Sequence, residues 1–209
     1  GCTTIGTWDS ATKTCTLTSD INDKIVIDSD GITLDGNGHT LDIPFLVNDY
    51  QRSGIYALDH SYLTIKNFNI VSTGSNSVTY GIYLDHNIYS DNILRLKNII
   101  IESNTISTSK IDNAIYISTQ HHHNAPDEEP QTHFIVKNNV IDTNNVGIHV
   151  EGFGNDEIFG NTITVIDSDC WGSSVCTGIQ ASAYYLDPTA ADMKIYDNSI
   201  DGVKAAFQS

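Results

Sequence analysis

The chain has 209 residues, and its 26 Asp and Glu against 10 Lys and Arg give a formal net charge of -16. Nucleic-acid binding depends on Lys and Arg neutralising phosphates, so this balance excludes it and disfavours anionic membranes as well. No stretch approaches the roughly 20 apolar residues needed to cross a bilayer, so no membrane insertion is expected, and the length suits one domain spanning 1–209.

Cys2 and Cys15 stand near the start of the chain, and a second local pair, Cys170 and Cys176, lies towards its end. Neither spacing fits a zinc pattern, and an even count points to two disulfides, Cys2 to Cys15 and Cys170 to Cys176. Such bonds persist in an oxidising compartment, so the chain is expected to be secreted or displayed on the cell surface. Residues 1–23 then read as an N-terminal cap clipped by the first bond.

From residue 24 onward one short phrase recurs. A degenerate copy, Lys24-Ile25-Val26-Ile27, is followed by Gly54-Ile55-Tyr56-Ala57, Gly81-Ile82-Tyr83-Leu84, Ala114-Ile115-Tyr116-Ile117, Gly147-Ile148-His149-Val150, Gly178-Ile179-Gln180-Ala181 and Gly202-Val203-Lys204-Ala205. Repetition at such a spacing marks stacked supersecondary units, here built of short strands. Because side chains alternate faces along a strand, Ile55 and Ala57 point inward and Tyr56 outward. Stacking like on like predicts an inner ladder of Ile55, Ile82, Ile115, Ile148, Ile179 and Val203. The outer column is Tyr56, Tyr83, Tyr116, His149, Gln180 and Lys204.

A second phrase lies between copies of the first: Leu63-Thr64-Ile65 with Ile70, Leu94-Arg95-Leu96 with Ile101, Phe134-Ile135-Val136 with Ile141, Ile158 with Ile163, and Ile195 with Ile200. Each unit therefore carries at least two strands. Asn67, Asn98, Asn138, Asn161 and Asn198 fall at the bends, where Asn tolerates left-handed backbone and stacked amides can bond to one another.

Together with Gly31-Ile32-Thr33-Leu34-Asp35-Gly36-Asn37-Gly38-His39-Thr40-Leu41, these phrases resemble the right-handed parallel β-helix repeat superfamily of pectate-lyase-like and NosD-like surface proteins. The resemblance implies an all-β fold, a right-handed parallel β-helix or solenoid of about six to seven coils. It implies no shared activity, since this fold carries lyases, hydrolases, epimerases and adhesins alike.

Four carboxylates on the outer face, Asp35, Asp59, Asp85 and Glu151, are the acid and base candidates a glycoside hydrolase would need. The Asn-Thr-Asp, Asp-Asp, Gly-His-Gly and Arg-Ile-Lys motifs of polygalacturonase-like relatives are absent, so no catalytic residue is assigned. Elimination of the pectate-lyase kind calls for a strong base, and the only arginines are Arg52 and Arg95. A segment rich in His and acidic residues offers His121, His123, Asp127 and His133 as metal candidates. The Tyr56, Tyr83, Tyr116 and His149 column is a candidate glycan-binding face, or a stack that stiffens the rod. No cofactor is implied, although the acidic surface could hold Ca²⁺.

The expected function is a non-catalytic β-helix module with a structural, adhesive or filament-forming role, self-associating head to tail through Val203, Ala205 and Phe207. The competing expectation is an enzyme or binding domain acting on acidic polysaccharides.

Overall fold

The computed structural model describes residues 1–43, 52–73, 78–86, 96–107, 111–119, 132–152, 154–166, 176–183, 193–202 and 205–208. Apart from one 3-10 turn at Cys2–Thr4, the regular structure of these residues is entirely β, in strands three to eight residues long. The strands form three sheets of eight, seven and six strands.

The chain visits the three sheets in strict rotation. Ile25–Ile27 lies in the seven-stranded sheet, Thr33–Asp35 in the eight-stranded sheet and Thr40–Asp42 in the six-stranded sheet; Ser53–Leu58 then returns to the first of these. That order repeats through to Ala205–Gln208, and each strand pairs in parallel with its equivalent one pass earlier and one pass later. Among the described residues the sole antiparallel pair joins Gly6–Asp9 to Thr14–Leu17. Long parallel sheets of short strands, three strands to a pass, are compatible with a β-helix.

Register follows the alternation of apolar residues. In the seven-stranded sheet Ile25, Ile55, Ile82, Ile115, Ile148 and Ile179 are successive partners, as the inner ladder requires. A second ladder runs Leu34, Ile65, Ile101, Val136, Ile158 and Ile195, and a third Leu41, Ile70, Ile106, Ile141, Ile163 and Ile200. Most of these rungs are fully buried. Each is worth about 1.5–3 kcal/mol of burial, and a slip of one residue would turn a whole rung to solvent.

Two expected alignments are corrected. Ile101 partners Ile65, and Ile106 partners Ile70, so Leu94-Arg95-Leu96 is not the copy of Leu63-Thr64-Ile65. An apolar residue every second position recurs just upstream of the true strand, and pattern alone cannot separate the two. At the other end Ile179 pairs with Phe207 and Gln180 with Gln208, four residues beyond the Val203 and Lys204 expected there. Val203 and Lys204 lie outside the described residues, as do Arg95 and Cys170; Ala205 pairs with Thr177.

The asparagines divide between two jobs. At the bend from the eight-stranded to the six-stranded sheet, Asn67, Ser103, Asn138, Gly160 and Asp197 take left-handed φ of 59°, 56°, 56°, 65° and 53°. The next residue in each of the last four passes, Asn104, Asn139, Asn161 and Asn198, turns inward. Asn104 Nδ2 donates to Asn139 Oδ1 at 3.1 Å, Asn139 Nδ2 to Asn161 Oδ1 at 3.0 Å and Asn161 Nδ2 to Asn198 Oδ1 at 2.9 Å. Asn98 belongs to neither set; it occupies the other bend with Tyr62, His133 and Asn155, all at positive φ. The expected column of five asparagines therefore merges three positions. Beside that second bend, Asp156 replaces an amide, taking the Thr132 hydroxyl and the Phe134 N–H.

A Cys2–Cys15 disulfide ties the first segment to Thr14–Leu17, the first strand of the eight-stranded sheet to pair in parallel. No cysteine among the described residues is a free thiol. Closing a loop of this length constrains the unfolded chain by about 3 kcal/mol in the entropic account. The paired replacement Cys2→Ser with Cys15→Ser should lower the unfolding free energy by about 2–4 kcal/mol in urea titrations. A change below 0.5 kcal/mol would show that the bond clips an already independent end.

Candidate functional site

The outer face of the eight-stranded sheet pairs with itself. Asp35, Lys66, Glu102 and Lys137 alternate in sign up one column, with Lys66 Nζ 3.5 Å from Asp35 and Lys137 Nζ 3.1 Å from Glu102. The Phe159 and Tyr196 rings stack above them. Asp35 also accepts from the Asn37 N–H and Asn67 Nδ2, which makes it a bend residue and removes it from the acid and base candidates.

The seven-stranded sheet is different. Its outer column places Tyr56 on Tyr83 and Tyr83 on Tyr116, with ring centroids 5.8 and 5.0 Å apart and planes within 5° and 4° of parallel. Hydrogen-bonded strands lie about 4.8 Å apart, so register alone brings the rings to stacking distance. Lys24 Nζ caps Tyr56 at 4.5 Å, and His149 meets Tyr116 edge-on at 4.8 Å. Tyr80, which repeat spacing does not reveal, packs tilted against both Tyr83 and Tyr116. The ring faces are thus occupied by one another, and the column offers ring edges and hydroxyls to a ligand.

Two residues further along each strand a polar column runs beside the rings. Ser118 is the register partner of Glu151, and Leu84 pairs with Ile117, so Asp85, Ser118 and Glu151 succeed one another on adjacent strands. The Tyr83 hydroxyl donates to Asp85 Oδ2, and the His86 N–H donates to Asp85 Oδ1. Ser118 Oγ donates to Glu151 Oε2 at 2.6 Å, and His149 Nε2 lies 3.0 Å from Glu151 Oε1. Each carboxylate is therefore held by a ring-column neighbour two residues before it.

Their environments push them apart. Burial raises Asp85 above its ordinary carboxyl range, against the opposing hydrogen bonds from Tyr83 and His86. The His149 hydrogen bond holds Glu151 below its ordinary value, with Ser118 adding to it against desolvation. Burial also raises the Tyr83 and Tyr116 phenols, which remain protonated donors at any physiological pH. Asp85 is 7% exposed and His86 5%. The Nδ1 atom of His86 faces Asp59 Oδ1 at 2.6 Å.

The Tyr56, Tyr83, Tyr116 and His149 set is thus brought together, and Asp59, Asp85 and Glu151 join it. The sequence pattern does not single out Tyr80, Ser118 or Lys24, whereas His86 follows Asp85 near one end of the column; the signal for Ser118 is its place between Asp85 and Glu151 in the register. Of the metal candidates, His121, His123 and Asp127 lie outside the described residues. His133 sits exposed at a bend with φ 55°, and no cluster of three or more His, Cys, Asp or Glu suited to a metal occurs among the described residues.

No family model, curated protein or solved structure matches this chain. What the face does must be argued from its own groups. Hydroxyls, imidazoles and carboxylates alternating over an aromatic edge suit a ligand rich in hydroxyl groups, and the described residues of the other two sheets gather no such set.

Proposed function

We propose that this chain is a right-handed parallel β-helix acting outside the cell, where the outer face of its seven-stranded sheet binds a neutral glycan and serves adhesion. Rotation through three parallel sheets supports the solenoid, and parallel crossovers are right-handed in about 98% of cases. The Cys2–Cys15 bond supports an oxidising location.

The observation that carries the glycan reading is the side-by-side column of Tyr83 with Asp85, Ser118 with Glu151, and His149. Carboxylates accept from sugar hydroxyls, while phenols and imidazoles both donate and accept, and the aromatic edge packs against C–H groups. Charge decides the class of glycan. The chain carries -16, and Asp59, Asp85 and Glu151 share this face, so a uronate polymer would be repelled unless Ca²⁺ bridged it. A neutral chain meets no such barrier.

The test is affinity electrophoresis in gels containing arabinoxylan, galactomannan or mixed-linkage β-glucan, with polygalacturonate, with and without Ca²⁺, as the counter-arm. Retardation by a neutral glycan is expected, and Tyr116→Phe should weaken it about 2- to 10-fold by removing one hydroxyl. Unretarded migration in every neutral gel would sink the reading, and retardation by polygalacturonate with Ca²⁺ alone would overturn the neutral class.

A further inference from the structure

We propose that the open edge of Ile25–Ile27 takes up an extended peptide segment of another protein as an added parallel strand, apolar at alternate positions and flanked by Lys or Arg. Residues 1–23 cover the first pass of the coil unevenly. Thr14–Leu17 pairs with Thr33–Asp35 and is itself covered by Gly6–Asp9, which finishes the eight-stranded sheet. Ile21 donates its N–H to the Thr40 carbonyl at 2.8 Å and accepts from the Asp42 N–H at 2.9 Å, which finishes the six-stranded sheet. The seven-stranded sheet has no such cover. Ile25–Ile27 is its outermost strand, and among the described residues these three make no backbone hydrogen bond beyond their pairing with Ser53–Leu58.

Beside that edge lies a cleft of about 560 Å³ at the end of the core, lined by Ile5, Trp8, Ile21, Ile25, Ile27 and Leu34. Trp8 is 41% exposed and Val26 56%, so apolar surface is left for an occupant to cover. The register of the sheet specifies what fits. Successive passes place one inward residue on each side of an outward one: Ile25-Val26-Ile27, Ile55-Tyr56-Ala57 and Ile82-Tyr83-Leu84. A strand added in the same parallel sense sets two apolar side chains opposite Ile25 and Ile27, facing the cleft, and one outward side chain over Val26. Main-chain hydrogen bonds to the edge supply affinity, and the alternating side chains supply selectivity.

Charge selects the flanks. Asp23 and Asp28 are exposed at the two ends of the strand, and both border the cleft. Lys24 lies between them in sequence, but its Nζ sits over Tyr56, on the paired side of the strand. A segment with Lys or Arg at its ends therefore meets opposite charge at both, while an acidic one is repelled. The same charges disfavour a second copy, which carries -16 and finds two of the three sheets already finished by the first 23 residues. Strand addition here does not depend on glycan binding.

The experiment titrates the full chain into the peptide Lys-Thr-Val-Thr-Val-Lys carrying a neutral dye, follows fluorescence anisotropy, and maps amide hydrogen exchange with and without the unlabelled peptide. Saturable binding with slowed exchange within 25–27 is expected. Asp28→Lys should weaken binding about 2- to 10-fold, as reversal of an exposed charge contact does, with the melting curve unchanged. Alternate peptide groups of a strand face opposite sides, so methylating the two Val nitrogens or the two Thr nitrogens of the peptide should abolish binding in one case and spare it in the other. Equal effects of the two methylation patterns, or binding without slowed exchange at 25–27, would overturn strand pairing. Equal affinity for Glu-Thr-Val-Thr-Val-Glu, or an unchanged affinity in Asp28→Lys, would overturn the basic class of partner. Absence of binding overturns the proposal, and protection of the same amides that grows with protein concentration alone would overturn it in favour of a second copy.

Discussion

Ile115→Asp should prevent folding: the expected result is loss of the cooperative thermal transition and recovery of the chain in the insoluble fraction. Ile115 is fully buried, between Ile82 on one side and Ile148 on the other, in a ladder with no polar group to receive a charge. Removing the isoleucine forfeits about 2–5 kcal/mol as a large-to-small core change. Burying an unpaired carboxylate costs several kcal/mol more, or forces its protonation. The sum is comparable to the whole stability of a domain, about 5–15 kcal/mol. Ile115→Val is the control; it should cost only about 0.5–1.5 kcal/mol and keep a single transition. A soluble Ile115→Asp protein melting within a few degrees of the parent would mean that residue 115 does not face the core.

That ladder was legible in the sequence because a strand has a period of two and one face must be dry. Ile55, Ile82, Ile115, Ile148 and Ile179 all follow a small residue and all precede an outward one, so their alignment needed no distance information. Register failed where the pattern is degenerate. Leu94-Arg95-Leu96 alternates as a half-buried strand should, whereas Ile99-Ile100-Ile101 is a continuous apolar run, and only hydrogen-bonded pairing shows that Ile101 belongs with Ile65. Asn failed for another reason: the same residue type serves a left-handed bend at Asn138 and an inward amide at Asn139, one position apart.

The site shows the same division. The Tyr column could be read from the repeat, but what the rings do could not. Their faces cover one another, so the face works through Tyr hydroxyls and the column beside it. Asp85 and Glu151 were visible as outward carboxylates. That they differ in character depends on Tyr83, His149, Ser118 and burial, which no spacing encodes.

Asn139 offers the second large effect, because its amide cannot be replaced by anything of one polarity. Its Oδ1 accepts from the Asn104 N–H at 3.0 Å and from Asn104 Nδ2 at 3.1 Å, and its Nδ2 donates to Asn161 Oδ1 and to the Ile101 carbonyl, both at 3.0 Å. Asn139→Leu leaves the Asn104 N–H and the Ile101 carbonyl buried without these partners, at about 1–3 kcal/mol each, for a loss of about 2–6 kcal/mol. Asn161 Oδ1 keeps the residue 139 N–H, and Asn104 Nδ2 keeps the Ile65 carbonyl, so the damage stops there. Asn139→Asp behaves differently with pH. An ionised carboxylate would face two acceptors where Nδ2 now donates, which raises its folded pKa above the unfolded value of about 3.9. Below that value the added proton donates to one acceptor; as pH rises through the folded pKa that contribution is lost. Urea titrations at pH 4 and pH 7 should therefore show the Asp deficit, relative to the parent, growing with pH while the Leu deficit stays constant. Equal Asp deficits at both values, or a Leu variant within 1 kcal/mol of the parent, would show that the asparagine ladder does not hold the bend.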